Sequence, residues 1–199
     1  ELKAFAGQIA SFLVSREVKL LVVACNSATA AALPWLQEHF EAGIIGAVEP
    51  GARAAVQSTR SRRVGVMATE ATIASGSYER ALLGLDAGLE VFSRACPRLA
   101  AMIQNGDVFS AEVVEAVKGY AAPLKEAGVD TVIMGSTHYP LVTPMLQRVF
   151  GAGVTLVSSA KEIAREVGEV LARRSIENEA GREGRYSFLC TGDIEAFVE

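Results

Sequence analysis

Short runs of apolar residues alternate along this chain with segments that carry apolar residues at helical spacing. The apolar runs lie at residues 19–24, 44–48, 64–68, 89–92, 131–134, 154–157 and 186–189, and the helical patterns at residues 28–40, 51–58, 75–83, 111–127, 141–150 and 160–173. Continuous apolar runs are typical of parallel strands covered on both faces. Strands that alternate with helices indicate right-handed βαβ units. The pattern predicts an α/β protein with parallel sheets, in which ligands bind beyond the carboxyl ends of the strands.

The composition fits a globular protein and gives no indication of a nucleic-acid or membrane partner. Half of the 199 residues are hydrophobic, but the apolar runs are far shorter than the roughly 20 residues that cross a bilayer. The formal net charge is -4 with acids and bases interspersed, whereas nucleic-acid-binding proteins usually carry a concentrated basic face. The dense basic cluster of Arg60, Arg62 and Arg63 is predicted to be a solvated loop.

The first residues contain neither a basic leader nor an apolar signal core, so a cytoplasmic location is expected. Residues 2–13 instead have the apolar spacing of an amphipathic helix. Because the chain starts without Met inside this pattern, we expect it to begin downstream of its natural start.

The cysteines Cys25, Cys96 and Cys190 are odd in number and contain no C-x-x-C pair. This disfavours a disulfide framework and a tetrahedral zinc site, so free thiols are expected. The sequence has no glycine-rich dinucleotide loop, Walker loop or H-E-x-x-H motif, and neither a metal nor a cofactor is predicted. Cys96 and Cys190 lack polar neighbours that would activate them and are predicted to be inert.

Cys25 directly follows an apolar run and precedes Asn26 and Ser27, which are good helix N-cap residues. Its sulfur is therefore expected near unpaired N–H groups at the positive end of a helix, which favours a thiolate. Such a thiolate could act as a nucleophile, a redox centre or a general base. The alternative is a buried structural cysteine.

A second polar cluster follows the run at residues 131–134. Pro140 suits the first turn of the next helix, which leaves Ser136, Thr137 and His138 on the loop at the end of the strand. His138 could act as a general acid or simply form a hydrogen bond. Thr69, Glu70 and Thr72 follow the run at 64–68 and could contact a ligand or cap the next helix.

Taken together, residues 24–28 (Ala-Cys-Asn-Ser-Ala) and 135–140 (Gly-Ser-Thr-His-Tyr-Pro) resemble the paired A-C-N-T-A and G-C-T-H-Y-P signatures of the glutamate racemase family. Further likeness runs through residues 64–70, 95–97, 163–164 and 191–193, in the family's order. The resemblance implies two pseudo-symmetric, doubly wound α/β domains that face each other across a cleft. We expect residues 1–52 with 158–199 to form the first domain, and residues 53–157 the second.

The resemblance also implies a reaction. The family interconverts L-glutamate and D-glutamate without a cofactor, using two cysteines on opposite faces of the α-carbon, and so supplies D-glutamate for peptidoglycan. Carried over by position, Cys25, Ser136 and His138 take catalytic roles, while Asn26, Ser27, Thr69, Thr137 and His138 bind the substrate. A homodimer is the assembly considered.

This chain departs from the family pattern in ways that bear on activity. Ser136 stands where the second cysteine belongs, and a hydroxyl is a far poorer base than a thiol. Gln104 and Asn105 are neutral near a position where some members carry an acid. The family's Asp-Ser-Gly loop and Tyr-Gly pair would lie before Glu1. Racemisation is therefore expected to be impaired.

Two other functions are compatible with these residues. The first is a decarboxylase or isomerase of the same superfamily that works with one cysteine. The second is a non-catalytic relative that keeps the fold and binds a ligand.

Overall fold

The structure, a computed structural model, describes residues 1–106, 108–178, 181 and 183–198. Its helices are α1 (Leu2–Val14), α2 (Asn26–His39), α3 (Val48–Ser58), α4 (Glu70–Ala74), α5 (Ser77–Leu85), α6 (Leu99–Asn105), α7 (Ala111–Glu126), α8 (Thr143–Phe150), α9 (Ser159–Arg173) and α10 (Ile194–Val198). Its strands are β1 (Leu20–Val23), β2 (Gly43–Gly46), β3 (Arg63–Ala68), β4 (Glu90–Ala95), β5 (Thr131–Gly135) and β6 (Thr155–Ser158), and a 3₁₀ turn covers Tyr139–Val142. None of the described helices is both long and apolar enough to cross a membrane.

Within the described residues, the strands form two parallel sheets. β1 pairs with β2, from Leu20 opposite Gly43 to Val23 opposite Gly46. The larger sheet has the order β4-β3-β5-β6, and its neighbouring strands are all parallel. The prediction of an α/β protein with parallel sheets is therefore confirmed. Because β3 and β5 are neighbours, the residues that follow them lie side by side at one edge of the sheet.

The larger sheet is covered by helices on both faces, since successive strand residues point to opposite sides. Val66 and Ile133 pack with α3 and α5 on one face. Met67 and Val132 pack with α6, α7 and α8 on the other face. The two-stranded sheet has a smaller core, whose buried members are Ala10, Leu21, Ala32, Leu36 and Ile44.

The prediction of a strand at residues 186–189 is wrong. The segment has no regular secondary structure, and Tyr186, Phe188 and Leu189 are 87%, 77% and 62% exposed. An apolar run forms a strand only where a neighbouring strand pairs with its backbone, and no described strand lies against this one.

The predicted solvated basic loop is only partly correct. Arg60 and Arg62 are exposed, but Arg63 is the first residue of β3 and is half-buried. Its guanidinium donates to both carboxylate oxygens of Glu90, at 2.8 and 2.7 Å, and to the Ala127 carbonyl at 2.8 Å. These hydrogen bonds compensate for the partial burial of the charge.

The predicted boundary between the two domains falls inside helix α3, which continues from Val48 to Ser58. This helix packs against the larger sheet, α5 and α9. The division into residues 1–52 with 158–199, and residues 53–157, stays a prediction.

Candidate functional site

Cys25 lies at the junction of β1 and α2. It is the N-cap of α2, with an extended backbone at φ -71° and ψ 120°. Its carbonyl accepts a hydrogen bond from the Thr29 amide at 2.9 Å. The side chain is exposed and makes no capping hydrogen bond, so the alternative of a buried structural cysteine is wrong. The thiol is accessible to a ligand beside the unpaired N–H groups of a helix N-terminus.

Asn26 points its side chain into the protein interior and is 2% exposed. Its Oδ1 accepts a hydrogen bond from the Tyr78 hydroxyl at 2.6 Å, and its Nδ2 donates to Ser159 Oγ at 3.3 Å. Burial raises the pKa of Tyr78, which keeps its hydroxyl protonated and able to donate. Substrate binding by Asn26 stays a prediction, and these hydrogen bonds favour a structural task for its side chain.

Ser27 belongs to a triangle of hydroxyl groups. Its Oγ lies 2.8 Å from Thr69 Oγ1 and 3.0 Å from Thr72 Oγ1, and the two threonine oxygens lie 3.0 Å apart. Thr69 also caps α4 by accepting a hydrogen bond from the Thr72 amide at 3.4 Å. The capping role considered for Thr69 is therefore present. The Thr69 hydroxyl also lies beside the Ser27 hydroxyl, and both residues are predicted to bind the substrate.

The second cluster follows β5. Ser136 is 6% exposed, and its Oγ accepts a hydrogen bond from the His138 amide at 3.3 Å. The Nε2 of His138 lies 2.8 Å from Gln104 Oε1, and its Nδ1 lies 3.4 Å from Thr137 Oγ1. An amide oxygen only accepts hydrogen bonds, so in this arrangement Nε2 carries a proton and Nδ1 faces the exposed Thr137.

Ser159 links the two clusters. It is the first residue of α9 and is fully buried. Its Oγ contacts Asn26 and donates to the Met134 carbonyl at 3.2 Å. Met134 precedes Ser136 by two residues, so the end of β5 is tied to the start of α2. No hydrogen bond among the described residues joins the Cys25 and Ser136 side chains directly.

The other two cysteines lie outside this region. Cys96 follows β4 and is fully buried, and burial raises the pKa of its thiol to about 12. A thiol with this pKa stays protonated near neutral pH, which supports the prediction that Cys96 is inert. Cys190 is half-buried, and its sulfur accepts a hydrogen bond from the Gly192 amide at 3.3 Å. The described residues contain no cluster of His, Cys, Asp or Glu that could hold a metal.

Three side chains at this site were missing from the predicted set, namely Tyr78, Gln104 and Ser159. Thr72, which was considered together with Thr69, is brought within 3.0 Å of the Ser27 hydroxyl. Tyr78 and Ser159 carry no local signal, because they contact Asn26 across 52 and 133 residues of chain.

The site combines an accessible thiol, several hydroxyl groups, an imidazole and a helix N-terminus. Hydroxyl and N–H groups can bind the carboxylates of a small molecule, and a thiol can exchange a proton with carbon. The arrangement suits proton transfer on a small acidic substrate.

Comparisons with known proteins agree with one another. The family model described as Asp/Glu/hydantoin racemase matches residues 4–167. A glutamate racemase of Listeria monocytogenes is 39% identical over 199 residues, which are 100% of this chain and 75% of that protein. A crystal structure of a Bacillus anthracis glutamate racemase has a TM-score of 0.85 and 42% identity, covering 88% of this chain and 66% of that one. A glutamate racemase of Francisella tularensis, in complex with D-glutamate, has a TM-score of 0.82 and 28% identity, with 89% and 66% covered.

These solved structures share the fold of this chain, so the predicted fold class is confirmed. The chain spans 75% of the length of the Listeria protein and 66% of the two crystal-structure chains.

Proposed function

Because this chain belongs to the Asp/Glu/hydantoin racemase family and, within it, to the glutamate racemases, we propose that it acts on glutamate and that Cys25 transfers the α-proton. The observation that carries the proposal is the position of the Cys25 thiol. It is exposed at the end of a strand, at the N-terminus of a helix of 14 residues. A group that reaches a substrate from this position can act as a base when ionised and as an acid when protonated.

The proposed proton transfer needs neither an oxidant nor a cofactor. The Cys25 thiolate takes the α-proton, so the C–H bond breaks, an S–H bond forms and the electron pair stays on the substrate as a carbanion. N–H and hydroxyl donors around the substrate carboxylate stabilise that charge. Return of a proton to the opposite face completes racemisation, whereas return from Cys25 restores the original enantiomer.

Ser136 occupies the position from which the second proton would come. Its hydroxyl is buried, and its Oγ accepts from the His138 amide. A serine hydroxyl exchanges protons with carbon far less readily than a thiol. We therefore expect this chain to exchange the α-proton on one face and to invert the α-carbon slowly.

The other residues predicted at this site are proposed to hold the substrate. Ser27 and Thr69 contribute hydroxyls from one side, and Thr137 is exposed on the other. His138, oriented by Gln104, would assist the acid on the second face. The family resemblance further supports a cytoplasmic role in making D-glutamate for peptidoglycan, and a homodimer as the assembly.

The proposal is tested by incubating the protein with L-glutamate and with D-glutamate separately in D₂O and following loss of the α-proton by NMR. We expect one enantiomer to lose its α-proton signal. Cys25→Ser should slow this loss by about 100-fold or more, as expected for removal of an acid–base group. Cys190→Ser, a matched change at a cysteine outside the site, should leave the rate unaltered.

Absence of exchange with both enantiomers, in the chain and in its Ser136→Cys variant, would contradict the proposal. Ser136 also favours the single-cysteine decarboxylase or isomerase as a second candidate. Turnover of a malonate-like or maleate-like acid, with glutamate inert, would support that candidate. Calorimetric binding of glutamate without any exchange would instead indicate the non-catalytic relative.

A further inference from the structure

A buried chain of hydrogen bonds joins the two strand ends of the candidate site. The Tyr78 hydroxyl donates to Asn26 Oδ1 at 2.6 Å, Asn26 Nδ2 donates to Ser159 Oγ at 3.3 Å, and Ser159 Oγ donates to the Met134 carbonyl at 3.2 Å. Tyr78, Asn26 and Ser159 are 2%, 2% and 0% exposed. The three side chains are therefore almost entirely packed within the protein.

The Met134 carbonyl at its end determines which groups donate and which accept along this chain of hydrogen bonds. The Met134 carbonyl can only accept, so Ser159 donates its one hydroxyl proton there and accepts from Asn26. The Asn26 amide must then direct Nδ2 to Ser159 and Oδ1 to Tyr78. Reversing the Asn26 amide would turn Oδ1 toward the Ser159 oxygen, whose proton is already donated, and would leave the buried Tyr78 hydroxyl without its acceptor, which is costly. The chain thus holds the Asn26 side chain in one orientation.

Tyr78 also packs its ring against the backbone that leads to Ser136. A Cβ added at Gly135 would lie 3.2 Å from Tyr78 Cε2, and one added at Gly51 would lie 3.3 Å from the Tyr78 hydroxyl oxygen. The glycines leave the space that the ring needs. Ring packing and the hydroxyl are separable, because Tyr78→Phe retains the first and removes the second.

We propose that Tyr78 and Ser159 are positioning residues that, through Asn26, hold Cys25 in place relative to the strand end that carries Ser136. Asn26 is bonded directly to Cys25 in the chain, and Met134 precedes Ser136 by two residues. The inferred effect on catalysis rests on the proposed function. The inferred effect on Cys25 itself does not.

The structural part is tested by amide hydrogen exchange at Thr29, whose N–H donates to the Cys25 carbonyl at 2.9 Å. We expect Tyr78→Phe to speed this exchange by about tenfold through local opening. The Val114 amide, which donates to the Ser110 carbonyl in the first turn of α7, is the internal reference. A merely structural effect on overall stability would move both amides together.

Tyr120→Phe is the matched control, since it removes a tyrosine hydroxyl from α7, a helix on the opposite face of the larger sheet. It should leave the Thr29 amide unchanged. Ser159→Ala interrupts the chain from its other end and should reproduce the effect of Tyr78→Phe, so one variant that fails to fold still leaves a test. Unchanged exchange at Thr29 in the folded variants would overturn the proposal.

The catalytic part uses exchange of glutamate α-protons in D₂O. In Tyr78→Phe and Ser159→Ala we expect kcat to fall about tenfold, with KM altered by less than about twofold because no substrate contact is removed. An unchanged kcat beside a faster Thr29 amide would overturn the positioning role. If the unsubstituted protein exchanges the α-proton of neither enantiomer, the proposed function fails. Amide hydrogen exchange at Thr29 alone then tests whether the chain of hydrogen bonds positions Cys25.

Discussion

Asn26 and Ser27 are neighbours in the chain, yet the structure gives their side chains different tasks. Asn26 is buried and bonded to Tyr78 and Ser159. Ser27 faces Thr69 and Thr72 and is only half-buried. At the scale of single residues, the motif around Cys25 therefore combines an accessible thiol, a half-buried hydroxyl and an amide side chain held by buried hydrogen bonds.

Ser136→Cys is expected to raise racemisation by about 100-fold or more, because a thiol would replace a hydroxyl at the second face. Circular dichroism of glutamate during turnover measures the inversion directly. Thr137→Cys, which places a thiol one residue further along the same loop, is the matched control and should not restore inversion. Equal rates in Ser136→Cys and in the unsubstituted chain would show that Ser136 does not limit the reaction.

The thiols are predicted to differ sharply in reactivity. Cys96 is fully buried with its pKa raised to about 12, so it should react with iodoacetamide only after unfolding. Cys25 is exposed and should react in the native state. Alkylation followed by peptide mass spectrometry resolves the two sites, because Arg and Lys residues separate them. Native labelling of Cys96 at the rate of Cys25 would contradict the described burial.

At the scale of elements, Asp130 joins the loop between α3 and β3 to the start of β5. Its carboxylate accepts hydrogen bonds from the Thr59 hydroxyl at 2.6 Å, the Arg60 amide at 2.7 Å and the Ser61 amide at 2.6 Å. Burial alone would raise the pKa of Asp130, but the hydrogen bonds from Thr59, Ser61 and Arg60 together lower it well below its ordinary value.

A lowered folded-state pKa means that Asp130 stabilises the fold above the unfolded-state pKa of about 3.9 and loses this contribution as the pH falls through the folded-state value. Asp130→Asn should therefore reduce the free energy of unfolding by about 2 kcal/mol at pH 7. Urea unfolding at pH 7 and pH 3 measures both values, and the difference between variant and parent should shrink at pH 3.

Asp86→Asn is the control for this experiment. The Asp86 carboxylate accepts a hydrogen bond from the Gly88 amide at 2.9 Å and lies 3.6 Å from Arg62 Nε. Removing its charge should therefore lower the free energy of unfolding by about 0.5 kcal/mol or less. A pH-independent difference between Asp130→Asn and its parent would argue against the charge of Asp130 as the cause.

At the scale of the whole molecule, the two sheets differ in how much of their surface is packed against helices. The larger sheet has helices on both faces and two sets of core residues. β1 and β2 form a two-stranded sheet among the described residues, with a smaller core. Two-stranded sheets are marginally stable on their own.

We therefore expect the amides of β1 and β2 to exchange about tenfold or more faster than those of β3 and β5 in native-state hydrogen exchange. β6 is the control, because it is an edge strand of the larger sheet. Comparing its amides with those of β1 and β2 separates the effect of an open sheet edge from the effect of a small core. Equal protection of all strands would indicate that the molecule opens as a single cooperative unit.

The sequence alone determined the α/β class, the parallel strands and the location of Cys25 and Ser136 at strand ends. These features depend on apolar patterns within a few neighbouring residues, and such local patterns are readable without the fold. The resemblance to glutamate racemases added the roles proposed for those positions.

Only the tertiary structure decided what the side chains contact. It buried Asn26 against Tyr78 and Ser159, brought Gln104 to His138 and left residues 186–189 without a strand partner. The hydrogen bonds of Asn26 join residues that are 52 and 133 positions apart in the sequence, so they depend on how the helices and sheets pack. No local sequence pattern records that packing. For the same reason, an apolar run at 186–189 has the composition of a strand but becomes one only beside a neighbour.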